Sequence, residues 1–201
     1  MNIECQSLSK RYTHNWIFKD LTTSFDGPGI HGIAGNNGSG KSTLLSLISG
    51  YLSPSKGSIR YVLNDKNIPR ENIFTKMAIA APYIDVIEEF TVSELLKVYG
   101  KLKPLEQHLD AKEFLKVAYL EKDKKKPIKY FSSGMKQRMQ LLLAFKTDVP
   151  FLLFDEPSSF LDTKAKEWFY QLVNTYKHEK LIIMASNDKE DLQACEFLIE
   201  M

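Results

Sequence analysis

One short run limits the folds open to this chain more than anything else in it. Gly35 to Thr43 reads GNNGSGKST, and it lies between the apolar stretch Ile30 to Ala34 and the segment Ser42 to Ser49. In that segment Leu44, Leu45, Leu47 and Ile48 recur at helical spacing, so the order is buried strand, glycine-rich turn, helix. The run satisfies GxxxxGK[ST] at Gly35, Gly40, Lys41 and Ser42.

The chemistry explains the residue types. A polyphosphate needs converging backbone N–H donors, and glycine lets the chain curl around phosphate without Cβ clashes. A helix starting near Lys41 adds its positive end. Lys41 supplies a point charge for the β and γ phosphates, and the Ser42 hydroxyl suits Mg²⁺. The expected nucleotide contacts are Asn36, Asn37, Gly38, Ser39, Gly40, Lys41, Ser42 and Thr43.

A second landmark is Phe151 to Pro157, FLLFDEP, in which four apolar residues lead into paired carboxylates. Ligands of open parallel sheets bind at the C-terminal ends of the strands. There Asp155 is expected to hold Mg²⁺ through water, and Glu156 to polarise the water that attacks a γ-phosphate. Taken alone, the pair also fits an acidic turn that caps the next element.

Around these landmarks the pattern is α/β. Ile3 to Leu8, Trp16 to Phe18 and Leu21 to Phe25 read as strands of an N-terminal antiparallel sheet, with Ser58 to Leu63 and Met77 to Ala81 as further strands. Between Phe90 and Phe145 the pattern is helical. Thr91 with Glu94 forms a capping-box signature, Glu106 to Ala118 is amphipathic, and Ser132 can cap a helix over Ser133 to Phe145. Then strand and helix alternate again: Phe151 to Phe154, Thr163 to His178, Leu181 to Ala185, Lys189 to Cys195 and Phe197 to Ile199. Strands separated by helices imply a parallel sheet with right-handed crossovers.

Composition excludes several classes. With 201 residues there is room for one sizeable core but not for two large domains. A net charge of +2 gives no footprint for nucleic acid, and the basic run Lys122 to Lys126 reads as a solvated loop. No stretch approaches the roughly 18 apolar residues of a membrane span, and the N-terminus lacks the apolar segment of a signal peptide. The expectation is a cytosolic protein whose Cys5 and Cys195 stay reduced, attached to a membrane only through a partner.

With these residues in place the chain resembles the ATP-binding cassette (ABC) ATPase family over nearly its whole length. FSSGMKQR, Phe131 to Arg138, is similar to that family's signature motif, EPSSFLD from Glu156 to Asp162 to its D-loop, and Tyr12 to the aromatic that stacks on adenine. The resemblance implies a P-loop NTPase fold with a parallel core sheet, an antiparallel β lobe and an inserted helical subdomain. The core would comprise 1–83 and 146–201, and the insertion about 84–145. It also implies ATP and Mg²⁺ as ligands and two cassettes meeting head to tail. Each ATP would then lie between one subunit's phosphate loop and the other's Ser132 and Gly134. A transmembrane permease subunit is the implied partner, which would place the chain peripherally on the inner face of the cell membrane. No nucleic-acid partner is expected, since the coiled coils or paired cassettes of the non-transport relatives are missing. A P-loop kinase would need an acceptor pocket in place of FSSGMKQR.

Three motifs depart from the family pattern. Where a glutamine is usual, AAPYIDVIEEFTV places Tyr83 nearest; where a histidine reaches the γ-phosphate, MASND places Asn187; and Ser133 and Met135 alter the signature. A neutral amide cannot shuttle a proton, so slow turnover is expected.

Overall fold

The structure is a computed structural model and describes residues 1–84, 86–107 and 109–201. Two sheets enclose one helix. The antiparallel sheet has the order β2-β1-β4-β5, built from β1 (Asn2–Tyr12), β2 (Asn15–Asp26), β4 (Lys56–Leu63) and β5 (Lys66–Ile68). The parallel sheet runs β6-β7-β8-β3-β9, from β3 (Gly29–Ala34), β6 (Met77–Ala80), β7 (Phe151–Asp155), β8 (Leu181–Ser186) and β9 (Phe197–Glu200). Helix α1 (Lys41–Ile48) lies between the sheets and fully buries Leu44, Leu45, Leu47 and Ile48 against Leu8, Phe25, Tyr61 and Leu153. At about 1.5–3 kcal/mol for each large aliphatic side chain, that burial fixes the helix, and with it the glycine loop at its start.

The other face of the parallel sheet carries α2 (Val92–Leu102), α3 (Ala111–Val117), α4 (Ser133–Phe145) and α5 (Thr163–Tyr176). The expected capping box is present: the Thr91 side chain accepts from the Glu94 N–H and the Glu94 carboxylate accepts from the Thr91 N–H. Ser132 caps α4 by accepting from the Met135 N–H at 3.3 Å. At the far end of α4, the buried Lys180 amine donates to the carbonyls of Phe145 (3.3 Å) and Thr147 (2.7 Å). Its charge sits at the negative end of that helix.

Three expectations are corrected. The helix expected over Glu106 to Ala118 begins only at Ala111, capped by Asp110; His108, inside that span, lies outside the described residues, as does Asp85 of the AAPYIDVIEEFTV stretch. Tertiary pairing removes the first turn: Leu105 bridges Thr147, the Glu106 N–H donates to the Lys146 carbonyl, and the Glu106 carboxylate pairs with the Lys146 amine at 2.7 Å. The two short strands expected over 16–25 form one twelve-residue strand, β2, whose long pairing with β1 passes through register shifts. The helix expected to reach His178 ends at Tyr176.

Candidate functional site

Parallel register gathers the chemistry at one edge. Ala34 of β3 pairs with Ser186 of β8, and Asp155 of β7 pairs with Ala185, so three strand ends finish at the same level. The glycine loop, the acidic pair and the turn after β8 therefore meet.

The loop closes on itself. The Ser39 N–H donates to the Asn36 carbonyl at 3.1 Å, and the Leu44 N–H to the Gly40 carbonyl at 2.8 Å, which starts α1. Gly40 stands at the N-cap with φ 108°, where a Cβ would meet Ile17 Cγ2 at 2.7 Å; β2 thus backs the loop so closely that only glycine fits. Lys41 is 5 % exposed, and its amine donates to the carbonyls of Gly35 (2.7 Å) and Asn36 (3.3 Å) while lying 3.7 Å from Glu156 Oε1. The positive charge is already aimed into the loop.

Asp155 is 2 % exposed, and its Oδ1 has no hydrogen-bond partner. Burial pushes its carboxyl above the ordinary range; the facing Ser42 hydroxyl, Lys41 and the Tyr83 phenol pull the other way, and Glu156 adds to the rise. A buried, unpaired carboxylate oxygen beside a serine hydroxyl forms an all-oxygen donor set suited to a small hard cation such as Mg²⁺.

Glu156 takes the left-handed backbone conformation, φ 46°, which is uncommon for a residue other than glycine. Its N–H donates to the Ala185 carbonyl at 2.8 Å, and its Oε2 lies 3.3 Å from Ser186 Oγ and 3.5 Å from the Asn187 N. The tight turn holds the carboxylate over the loop instead of letting it follow the strand. The Asn187 amide donates to Asn37 Oδ1 at 2.8 Å, tying the turn after β8 to the phosphate loop.

The other expected residues lie elsewhere. Among the described residues no hydrogen bond or ion pair joins Ser132 or Gly134 to the loop; they line a small depression of about 240 Å³ with Arg138 and Phe160. A Cβ on Gly134 would meet the Phe160 carbonyl at 2.9 Å, so the start of α4 is packed against the segment that follows the acidic pair. Tyr12, at the end of β1, is 46 % exposed with the Lys10 amine 5.0 Å above its ring. Tyr83 reaches Ser46 Oγ at 3.3 Å and also lines a groove of about 690 Å³ with Tyr51, Phe74, Ile79 and Ile84. An adjoining apolar hollow contains Ile87, Val98 and Leu102.

Sequence reasoning missed Ser186, Ile17 and the apolar groove. Ser186 ends a uniformly buried strand and has no motif of its own. Tyr51 and Phe74 sit in turn-rich stretches without periodicity.

A parallel sheet that presents a phosphate loop, its lysine and an aspartate–glutamate pair on neighbouring strand ends defines a P-loop ATPase. The chain belongs to the ABC transporter family, which matches residues 18–159. It is 28% identical to the uncharacterized ABC transporter ATP-binding protein YybJ of Bacillus subtilis, over 99% of this chain and 92% of that one. It is 29% identical to the energy-coupling factor transporter ATP-binding protein EcfA1 of Thermotoga maritima, over 100% of this chain and 78% of that one. Its fold is shared with a dimeric bacterial ABC transporter cassette at TM-score 0.85 and 20% identity, covering 99% of this chain and 94% of the other. A putative ABC transporter ATP-binding protein from Pyrococcus furiosus superposes at TM-score 0.81 and 24% identity, covering 100% and 97%. The nucleotide motifs make the chain an ATP-binding cassette with ATPase chemistry.

Proposed function

We propose that this chain is the ATP-hydrolysing subunit of an ABC transporter, driving a separate transmembrane partner through ATP-dependent pairing of two cassettes. The observation that carries the reading is the meeting of Lys41, Asp155 and Glu156 around one loop, with a buried carboxylate oxygen left unpaired. Relatives named as transporter ATP-binding proteins support the transport half of the reading.

In this reading ATP lies along the loop, with Asn36 to Thr43 around its phosphates and its adenine against the free face of Tyr12. Ser42 and Asp155 would hold Mg²⁺, which when bound would neutralise charge on the phosphate oxygens. Glu156 orients water. As the water oxygen bonds to the γ-phosphorus, its proton passes to Glu156, and the bond between the γ-phosphorus and its bridging oxygen breaks to release ADP and phosphate. Asn187 stands where a charged or proton-carrying group would best stabilise the transition state. Losing one such donor commonly costs about 3 kcal/mol, roughly a hundredfold in rate, so turnover is slow.

The second cassette completes the site through Ser132 and Gly134, whose N–H groups open the α4 helix beside a depression that none of the described residues fills. The transmembrane partner docks in the apolar groove by Tyr83, which holds the chain peripherally at the membrane; no helix among the described residues is long and apolar enough to cross one. The chain is one cassette domain, with a core of 1–83 and 146–201 and a helical subdomain of about 84–145.

The test is Glu156→Gln. Turnover should fall by more than about a hundredfold while MgATP binding survives, and size-exclusion chromatography with ATP should show a dimer. A variant that remains monomeric with saturating ATP overturns the paired-cassette reading.

A further inference from the structure

Asp191 of α6 (Lys189–Gln193) is fully buried and has no part in the motifs described above. Its carboxylate accepts three hydroxyl hydrogen bonds from three different segments. Oδ2 accepts from Ser158 in the segment after the acidic pair (2.9 Å) and from Ser186 at the end of β8 (2.7 Å), while Oδ1 accepts from Tyr170 of α5 (2.8 Å). The Tyr170 phenol is pushed well up, first by burial and then by this carboxylate.

Ser186 is the telling member. Its Oγ lies 2.7 Å from Asp191 and 3.3 Å from Glu156 Oε2, and it accepts from the Asp188 N–H at 3.0 Å. A hydroxyl carries one proton and can donate to one carboxylate at a time. The shorter contact, to a carboxylate sealed from water, takes it.

We propose that Asp191 is a positioning residue for hydrolysis: it holds the Ser186 proton away from Glu156, leaving Glu156 free to take the proton of the attacking water, and pins Ser158 in the same grip. This deepens the ATPase reading and rests on Glu156 being the base. The groups facing Glu156 are Lys41 of α1, Asp155 of β7, and the Ser186–Asn187 turn. Those around Asp191 are Tyr170, Ser158, Ser186 and the Cys195 thiol, whose pKa burial and then Asp191 push up to about 12. The neighbouring Asp188 is occupied by Lys166 at 2.8 Å, so the lysine does not serve Asp191.

Asp191→Asn tests the proton assignment with little change of volume. The amide satisfies the most partners when its NH₂ faces the two serines and its oxygen faces Tyr170. Both serine protons are then released, and that of Ser186 turns to Glu156 Oε2. A hydroxyl donated to a carboxylate weakens it as a base, so kcat should fall about tenfold while MgATP Kd stays within about twofold. The decisive variant is Asp191→Asn combined with Ser186→Ala, which removes the misdirected proton and should restore most of the lost kcat. Thermal melts of both variants report whether folding is intact.

A double variant no faster than Asp191→Asn, in protein that melts normally, overturns the proposal. So does an Asp191→Asn variant with wild-type kcat. Glu156→Gln separates the two readings: if that variant still turns over ATP, the base assignment itself fails. If it is inactive and Ser186→Ala gives no rescue, only the role of Asp191 fails.

Discussion

Two helix starts in this molecule carry serine and glycine, and they are finished to different degrees. At α1 the phosphate loop is closed by its own hydrogen bonds, backed by Ile17 and supplied with a buried lysine already aimed inward. At α4 the Ser132 cap is exposed, and among the described residues no hydrogen bond or ion pair joins it to the phosphate loop. The first is a site that one chain can complete. In the paired-cassette reading proposed above, the second is half of a site whose other half a second cassette supplies.

Substitutions at the two helix starts should therefore separate binding from turnover. Lys41→Ala should weaken MgATP binding by about a hundredfold in the isolated chain, because a desolvated charge aimed at phosphate is lost; titration with a fluorescent nucleotide reads this directly. Ser132→Ala should leave that affinity within about twofold and lower steady-state turnover by about tenfold, since its partner arrives only on pairing. If Ser132→Ala instead weakens nucleotide binding to the monomer, the contrast between the two ends collapses.

A smaller effect concerns stability. Burial raises the folded-state pKa of Asp155 above its ordinary value of 3.8, so the ionised form is disfavoured in the folded chain. The resulting cost is absent below that value and grows as pH rises through the folded pKa. Asp155→Asn should accordingly raise the Tm of nucleotide-free protein at neutral pH, the smallest of these effects. The gain should vanish in acid, as scanning calorimetry at pH 7 and pH 3.5 would show. A drop in Tm at neutral pH would mean that the carboxylate is better satisfied than its unpaired Oδ1 indicates.

Much of this was legible in the sequence because the signals are local. The loop, the capping box at Thr91 and the cap at Ser132 are all written within a few residues of the structure they make. Tertiary pairing was not legible. Glu106 fits the start of an amphipathic helix until Lys146, forty positions on, captures it. β5 is three residues long and exists only because β4 lies beside it. In the site, Asp155 and Glu156 could be read from an apolar run ending in acid, but their support could not. Ser186 and Asp191 acquire meaning only when the ends of β7 and β8 come level, and Ser158 reaches Asp191 across thirty-three positions. The turn after β8 that carries Asn187 could be placed from the sequence, but not the bond from Asn187 to Asn37, because no local pattern joins residues 150 apart.

Lys180 gives the signature region a mechanical property. Its amine grips the last carbonyls of α4 and the turn beyond, beside the strand that carries Ser186, while the other end of that thirteen-residue helix holds Ser132. A tilt about the Lys180 end is magnified along such a rod. The segment after the acidic pair, against which Gly134 packs and to whose Pro157 carbonyl Gln137 donates at 2.9 Å, would have to move with the helix start. At 1.5 Å per residue the arm is about 20 Å long, so a tilt of about 5° at the pin sweeps Ser132 through roughly 1.7 Å. That is more than half the length of a hydrogen bond, enough to make or break the phosphate contact proposed for Ser132 on a second cassette.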